Sequence, residues 1–340
     1  MTSKTFILYA ILIATVPLTS YAHHSMAIYD TAQQVSISGT VTRVAWRNPH
    51  VYIYLNETLE TGEIINWEIE GFGPSSFRRL GWSQETLQIG DQLVVDGSPT
   101  RNISRRGIYP QTMHRDGDKL FDGNEFFSLA LSAEDASGQE TTSLNGNWVT
   151  QLEFDVILQY VEGKEYSNLT PAGELAVARY DEDTMNAAAN CAQMAAPFFM
   201  IVPDIKKIEL QDDIIRFTGD YDGAERQIFM GLENHDGAVF SSQGHSIGRW
   251  EDSTLVIDTT HFADDFMGNG WALPSGSQKH LIEYLTLNDD MRSLTYRFEL
   301  SDPEFMTSPF TGTAQWKYGT NSDFLVEECD LRNAQRFLKR

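Results

Sequence analysis

The chain has 340 residues and a formal net charge of −23, because its 48 acidic residues outnumber 25 lysines and arginines. Residues 121–340 hold 37 of the acidic residues and only 15 of the basic ones. Such a negative field repels phosphate groups, so nucleic acid and anionic membranes are excluded as expected partners.

The first 22 residues have the features of a secretory signal peptide. Lys4 supplies a positive charge, residues 6–18 form an apolar run, and residues 20–22 (Ser-Tyr-Ala) have the small-residue pattern of a cleavage site. The apolar run is shorter than the roughly 20 residues of a membrane-spanning helix, and no later run is longer. We therefore predict a periplasmic or secreted protein without a membrane span, whose mature chain begins at His23.

Residues 23–121 are predicted to form a small β domain of the OB type. The predicted elements are strands at residues 35–44, 51–55, 64–69 and 92–96, a helix at 75–80 and a further strand within 107–121. Three strands, a helix and two strands are the element order of an OB barrel. A small open sandwich has a similar order and stays an alternative.

Residues 144–340 are predicted to form a second domain, an antiparallel lipocalin-like β-barrel. Residues 122–143 before it are polar, acidic and rich in glycine and serine, which is typical of a linker. Thr170 as N-cap and Pro171 in the first turn predict a helix over residues 171–180. The predicted strands cover residues 213–217, 226–230, 245–250, 254–258, 281–287, 294–299, 313–318 and 324–328. Eight short strands with tight turns favour a closed barrel, because closure removes exposed strand edges.

Cys191 and Cys329 are the only cysteines of the chain. An exported protein enters an oxidising compartment, where two cysteines normally form a disulfide. Their wide separation disfavours a zinc cluster or a thiol active site. We therefore predict a disulfide between them.

Several short motifs stand out along the mature chain. They are AHHS at residues 22–25, GTVT at 39–42, WRNPH at 46–50, GW at 81–82, GD at 90–91, GHSIGRWE at 244–251 and LVIDT at 255–259. In these motifs the chain resembles a widespread, largely uncharacterised family of exported bacterial proteins. The resemblance implies no particular activity. Tyr284 departs from it, since family members tend to have arginine there, and this weakens a charge-pair role at that position.

His23 would be the first residue of the mature chain, where its α-amine and Nδ1 can chelate one metal ion together. A further imidazole would complete three nitrogen ligands in a plane, an arrangement that suits Cu(II). His24 and His50 are the candidate donors, and His114 is a weaker one. The alternative is an ordinary chain terminus without a metal. The copper site is therefore a hypothesis that depends on cleavage after Ala22.

Several polar residues of the second domain fall on or beside predicted strands and could face one barrel cavity. The candidate acids and bases are His245, Asp258, His280 and Glu283, and the candidate ligand-binding residues are Arg249, Trp250 and His261. Burial would move the pKa values of a histidine and a carboxylate toward neutrality, as acid–base catalysis requires.

The spacing of these residues predicts which face of a strand they occupy. His245 and Arg249 have an even spacing and share a face, whereas His280 and Glu283 have an odd spacing and point to opposite faces. The alternative role is structural. A buried polar network, in which Arg249 pairs with Asp258 across the intervening turn, would hold the strands in register.

Motifs for common cofactors are missing from the sequence. It has no P-loop, dinucleotide glycine pattern, nucleophile elbow, zinc-protease helix or haem-attachment motif, so we expect no nucleotide, haem or flavin cofactor. The favoured interpretation is an exported binding protein for a small apolar or amphipathic molecule. A non-redox enzyme of hydratase, isomerase or hydrolase type and a scaffold without a small ligand are the alternatives. A partly apolar barrel cavity would favour the first two classes, and a filled barrel the third.

Overall fold

The structure is a computed structural model that describes residues 28–151, 166, 168–270 and 272–336. The predicted signal peptide, His23 and His24 lie outside the described residues. Strands dominate the rest of the chain and form a small N-terminal barrel and a larger C-terminal barrel. The predicted fold class, mostly β with two barrels, is confirmed.

The N-terminal barrel has the OB-type element order that the sequence predicts. Its elements are β1 (Val35–Ala45), β2 (Tyr52–Thr58), β3 (Ile64–Glu70), α1 (Pro74–Arg79), β4 (Gln92–Pro99), β5 (Gly107–Arg115) and β6 (Asp118–Asp122). Strand β3 pairs in parallel with β5, and this pairing closes a barrel of the first five strands. The single strand expected within residues 107–121 is a hairpin of β5 and β6. Its turn, Asp116 and Gly117, has positive φ at both residues.

The segment predicted as a linker contains the helix α2 (Gly123–Ser132), so this part of residues 122–143 is regular structure. The side chain of Asp122 accepts a hydrogen bond from the backbone N–H of Asn124 at 2.9 Å and caps the helix. Phe126 is buried and stacks on Phe72 of the N-terminal barrel, with ring centroids 3.9 Å apart. Helix α2 is therefore anchored to the barrel that precedes it.

The C-terminal barrel closes with nine strands. The strands of this part of the chain are β7 (Gly146–Gln151), β8 (Ile205–Leu210), β9 (Ile214–Gly219), β10 (Glu225–Met230), β11 (His245–Glu251), β12 (Thr254–Thr260), β13 (Asp265–Gly270), β14 (Leu273–Ser275), β15 (His280–Leu287), β16 (Ser293–Ser301) and β17 (Phe310–Tyr318). The barrel order is β10-β11-β12-β15-β16-β17-β7-β8-β9, while β13 and β14 pair separately. Strands β10 and β11 are parallel, and the other paired neighbours are antiparallel.

The remaining helices are short. They are α3 (Pro171–Arg179), α4 (Glu182–Met185), α5 (Phe198–Ile201) and α6 (Leu331–Ala334), and 3-10 turns occur at Ile103–Arg105 and Ala188–Asn190. The Thr170 hydroxyl accepts a hydrogen bond from the N–H of Gly173, so the predicted cap of α3 is confirmed. No helix within the described ranges is long and apolar enough to cross a membrane.

The strand pattern of the second half differs from the prediction, because β7, β8, β13 and β14 are not predicted and one predicted strand does not form. The sequence does not predict β8, because Lys206 and Lys207 interrupt its apolar pattern, yet Lys206 is fully buried beside Asp204. The prediction of a strand at residues 324–328 is wrong. The backbone of this segment bonds to the N-terminal domain instead, where the N–H of Asn48 donates to the carbonyl of Glu328 at 3.2 Å.

Side chains fill the interior of the C-terminal barrel. Leu255, Ile257 and Thr259 alternate along β12, point inward and are fully buried. Most other described apolar side chains on the inner face are buried in one core, and Met230, Leu287, Phe310 and Tyr318 are partly buried against it. In the described part of the barrel, a packed core therefore stands where a ligand cavity was expected.

One ion pair crosses this interior. Nη1 and Nη2 of Arg226 donate to the two carboxylate oxygens of Glu283, at 2.8 and 2.5 Å. Arg226 also donates to the hydroxyls of Ser246 and Thr259, and the hydroxyl of Tyr296 donates to Glu283 at 2.9 Å. Both members are fully buried and hydrogen-bonded to further groups. Such additional bonds help to offset the cost of removing the two charges from water.

A disulfide within the second half and ionic contacts between the halves tie the structure together. The predicted disulfide between Cys191 and Cys329 is present, with Cα atoms 5.8 Å apart. Arg79 of α1 donates to both carboxylate oxygens of Asp135, at 2.7 and 2.8 Å, and to the carbonyl of Pro203 at 3.2 Å. The Arg79–Asp135 pair is buried, so these contacts are part of the packed interior.

Replacing Glu283 with leucine should lower the free energy of unfolding by about 3–5 kcal/mol, because the buried Arg226 charge loses its partner. Urea denaturation followed by tryptophan fluorescence measures this loss. The double variant Arg226→Met/Glu283→Leu should recover most of it, since neither buried charge remains. As a control, Arg249→Met removes an exposed ion pair with Glu251 and should cost less than about 1 kcal/mol. A Glu283→Leu loss as small as that of the control would contradict the structural role of the pair.

Candidate functional site

The candidate site lies on the outer face of the C-terminal barrel, where β11, β12 and β15 run side by side. Thr259 of β12 points inward, so its neighbour Asp258 points outward. His245 lies opposite Thr260 on the outward face, and the alternation along β15 turns His280 outward as well. The expectation that His245, Asp258 and His280 face a barrel cavity is therefore corrected, because strand alternation directs them to the outside.

Four side chains on this face form one hydrogen-bonded group, the histidine cluster: His235, His245, Asp258 and His280. Oδ1 of Asp258 lies 3.0 Å from Nε2 of His280 and 3.3 Å from Nε2 of His235. Nδ1 of His235 lies 2.8 Å from Nδ1 of His245. An ionised carboxylate only accepts, so both Nε2 atoms carry protons, and neutral His235 then accepts at Nδ1 from His245. The hydrogen bonds therefore place a proton on Nε2 of His235 and of His280, and on Nδ1 of His245 when His235 is neutral.

His235 is the member of the histidine cluster that the sequence does not reveal. It lies at residue 235 of the connection between β10 and β11, outside the predicted strands. These strands are parallel, so the chain must return along the barrel before β11 begins. The returning segment brings His235 over the outward face of β11 and β12. A loop residue is not part of a periodic pattern, so the sequence gives no signal for its position. Its place could be predicted only if the parallel pairing were already known.

The surroundings of the two end histidines shift their pKa values in opposite directions. The hydrogen bond to Asp258, and then its charge, raise the pKa of His280, and the same hydrogen bond lowers the pKa of Asp258. Burial, and then the neighbouring His235 and His261, lower the pKa of His245. At a pH near the ordinary imidazole pKa, His280 therefore keeps a proton while His245 is neutral.

His261, a predicted ligand-binding residue, lies beside the histidine cluster. Its ring centroid is 6.0 Å from that of His235, and its Nδ1 is 2.9 Å from the hydroxyl oxygen of Thr260. The backbone of His261 has a positive φ of 57°, directly after the end of β12. His261 therefore lies next to the rings of the histidine cluster without joining its hydrogen-bonded group.

Three other predicted site residues are not brought to the histidine cluster. Arg249 and Trp250 lie toward the opposite end of β11, and Arg249 pairs with Glu251 at 2.6 Å, not with Asp258 as the structural alternative expected. Glu283 points into the barrel, on the face opposite to His280, as its odd spacing predicts. Its carboxylate is fully occupied by structural hydrogen bonds.

His50, the predicted metal donor of the N-terminal barrel, is held by the backbone beside it. Its Nδ1 lies 3.0 Å from the carbonyl oxygen of Gly71 and 3.5 Å from Oε1 of Glu70. Oε2 of Glu70 accepts a hydrogen bond from the hydroxyl of Tyr29 at 2.7 Å. Because a carbonyl can only accept, Nδ1 of His50 is the donor and Nε2 keeps its lone pair for a ligand. His114, the weaker candidate, lies on β5.

Among the described residues, no three His, Cys, Asp or Glu side chains are arranged to hold a metal ion. In the histidine cluster, His235 uses both ring nitrogens and separates His245 from Asp258, so the donor atoms do not converge. His23 and His24, the other predicted copper ligands, lie outside the described residues.

Among the comparisons with known proteins, a family model matches only the N-terminal part. A family model described as a family of unknown function, DUF6152, matches residues 11–111, which is less than half of the chain. No curated protein matches. The crystal structure of the S. pombe Stn1–Ten1 complex is similar over 28% of this chain and 63% of that chain, with 12% sequence identity and a TM-score of 0.19. The chain thus spans less than two thirds of that structure's chain, and a score this low supports no conclusion.

Asp258→Asn should lower the pKa of His280 toward its ordinary value, because the carboxylate that stabilises the protonated ring is lost. NMR titration of the histidine ring protons measures this change, with His114 as the control that should not move. The folded pKa of His280 is raised, so the stability that the pair contributes is present below the unfolded value of about 6.5. It is lost as the pH rises through the folded value. An unchanged titration of His280 would mean that Asp258 does not hold this ring in solution.

Proposed function

We propose that the C-terminal barrel carries an acid–base site for a reaction without a redox cofactor. The observation that supports the proposal is the histidine cluster, in which two imidazoles with pKa values shifted in opposite directions share one carboxylate-centred group. A site that shifts the pKa values of two titratable groups in opposite directions typically contains the acid and the base of an enzyme. The packed barrel interior favours the outer face as the place of reaction.

In this proposal His245 is the general base. Its Nδ1 donates to His235, so its Nε2 has the free lone pair that can take a proton from water or from a substrate. The lowered pKa keeps this nitrogen unprotonated at a pH where an ordinary histidine is half charged. His235 is thus a positioning residue, because it fixes the tautomer that makes His245 a base.

His280 is the general acid of the same site. Its Nε2 donates to Asp258, and in the protonated ring, which the raised pKa favours, Nδ1 carries the second proton that can be given to a leaving or charge-bearing group. Asp258 orients the ring and stabilises its protonated form. Strands β11 and β15 flank β12, so acid and base stand on strands about 10 Å apart, a span that a small molecule can bridge.

Export and a small apolar substrate complete the proposal. The signal-like residues 1–22 and the disulfide support a periplasmic or secreted protein. Phe229 stacks on His245 with ring centroids 5.1 Å apart, which supports a small apolar or amphipathic substrate. We also propose that the motifs at residues 22–25 and 244–251 belong to one family architecture that extends beyond the match at residues 11–111.

The chemistry is tested with an uncharged ester, 2-naphthyl acetate, and the protein purified after export. His280→Gln and His245→Gln should each lower kcat/KM by about 10²- to 10⁴-fold, the usual effect of removing a general acid or base. The pH profile should be bell-shaped, with His245 setting the acid limb and His280 the alkaline limb. Asp258→Asn should then move the alkaline limb to lower pH.

The matched control for this experiment is His114→Gln, which changes a histidine of the other barrel and should leave the rate unaltered. Full activity in both cluster variants would overturn the acid–base proposal. Binding of the ester without turnover in the unchanged protein would support the binding-protein alternative. Absence of both binding and turnover would favour a scaffold.

A second candidate function is copper binding at the mature N-terminus, and it is favoured by the hydrogen bonds of His50. Metal-bound histidines usually donate their other ring nitrogen to a carbonyl or carboxylate, as Nδ1 of His50 does to Gly71. Tyr29 is tied to Glu70, the neighbour of His50 in space. Tyr29 follows His24 by five Cα–Cα steps, which can span about 17 Å when extended, so the mature terminus can reach His50.

Copper analysis of the exported protein tests this candidate. The unchanged protein should contain about one equivalent of copper, because an amine and two imidazoles provide three nitrogen ligands. His23→Ala and His50→Ala should each abolish stoichiometric loading, while His114→Ala should not. Intact mass spectrometry of each sample verifies that the chain begins at residue 23. A mature chain that begins elsewhere, or equal loading in all three variants, would disprove the site.

A further inference from the structure

A continuous row of five rings lies on the outer face of the C-terminal barrel. The aromatic row consists, in spatial order, of Phe229, His245, His235, His261 and Phe240. Successive ring centroids are 5.1, 5.1, 6.0 and 5.1 Å apart. All four distances fall in the range in which aromatic rings attract one another, about 4.5–7 Å. Two phenyl rings thus terminate a row of three imidazoles, two of which belong to the histidine cluster.

The interplanar angles show that the rings are not all stacked in one direction. Phe229 and His245 are nearly parallel at 19°, His245 and His235 meet edge to face at 78°, and Phe240 is tilted by 48° against His261. Both stacked and edge-to-face contacts favour further aromatic partners, because ring edges and ring faces have opposite partial charges. The row therefore offers both kinds of surface to a flat molecule.

The end of the row formed by Phe240 is open to solvent. Phe240 is 56% exposed and its neighbour Val239 is 82% exposed, although both lie in the same connection as His235. Exposed apolar side chains next to polar groups with shifted pKa values often mark a binding site. Phe240 is thus available to a ligand beside His261, next to the histidine cluster.

Carboxylates outnumber cations around the aromatic row, since protonated His280 offsets only one of three carboxylates. Glu233 and Asp236 lie in the connection that carries His235, and Asp258 lies beneath it at the centre of the histidine cluster. These carboxylates repel a negative ligand, while the exposed rings contribute apolar and aromatic surface. The combination favours a neutral molecule with an aromatic system.

We propose that the aromatic row binds a small, flat, uncharged aromatic molecule and presents it to His245 and His280. This inference rests on the proposed acid–base function and names the substrate class of that site. Phe229 and Phe240 are the specificity-determining residues, since they border the imidazoles at both ends. A saturated ring of the same size and hydrogen-bonding capacity would lose the stacking contribution.

The test compares three matched ligands by isothermal titration calorimetry near neutral pH. They are 2-naphthol, decahydro-2-naphthol, which keeps the hydroxyl but has no aromatic system, and 2-naphthoate, which adds a negative charge. We expect 2-naphthol to bind and the other two to bind at least about tenfold more weakly. Phe240→Leu should weaken 2-naphthol by about threefold to tenfold, the effect of one lost aromatic contact.

The control variant is Trp250→Leu, which also replaces an exposed ring by leucine but lies toward the far end of β11 from His245. It should leave the affinity unchanged. Equal binding of the saturated alcohol, equal binding of the anion, no binding of 2-naphthol, or equal loss in both variants would each overturn the inference.

The outcome is separable from that of the proposed function. His280→Gln should abolish hydrolysis of 2-naphthyl acetate but leave the affinity for 2-naphthol within about twofold, because this ring lies outside the aromatic row. Binding that depends on Phe240, without any His280-dependent reaction, would support the ligand class and reject the acid–base role. A His280-dependent reaction without 2-naphthol binding would reject the ligand class alone.

Discussion

The buried pair of Arg226 and Glu283 is the interaction on which the C-terminal barrel depends. It connects β10 to β15 directly, and the hydrogen bonds of Arg226 to Ser246 and Thr259 include β11 and β12. Strands β10 and β11 share only three register pairs, so few backbone bonds hold this seam of the barrel. Because few backbone bonds set the register of these two strands, a charged side chain that crosses the interior at the same place helps to fix it.

The register set by this pair also creates the outer surface. If β12 shifted by one residue, Asp258 would turn into the apolar interior and Thr259 would turn out. The position of Thr259 against Arg226 therefore fixes Asp258 between His235 and His280. The parallel seam contributes a second element, because parallel neighbours cannot be joined by a tight turn and need a long return connection. The strands alone place one carboxylate and two histidines on this face. The return connection adds His235 and Phe240 to them.

The sequence predicts the elements better than it predicts the faces and the connections. Turn residues and β-branched runs are local signals, and they place the OB-type order, the cap of α3 at Thr170 and most barrel strands correctly. The buried Lys206 hides β8, since a lysine interrupts the apolar pattern and the sequence does not show that it is buried beside Asp204. Residues 324–328 have a strand-like pattern, but the partner that satisfies part of their backbone is Asn48, far away in sequence. For the candidate site, His245, Asp258 and His280 could be selected as residues, whereas their outward direction follows from the inward position of Thr259, and the place of His235 follows from the parallel pairing.

The two candidate sites use histidines of different barrels and have no residue in common. The histidine cluster and the aromatic row are built from residues 229–280 of the C-terminal barrel, while His50 and Glu70 belong to the N-terminal one. The barrels are nevertheless joined by buried contacts, since Arg79 binds both Asp135 and the carbonyl of Pro203. The segment beside His50 is also bonded to the residues around Cys329, through Asn48 and the backbone of Glu328 and Asp330. A disturbance of the disulfide would therefore act first on the surroundings of His50, whereas the register that holds Asp258 depends on Arg226 and lies within the other barrel.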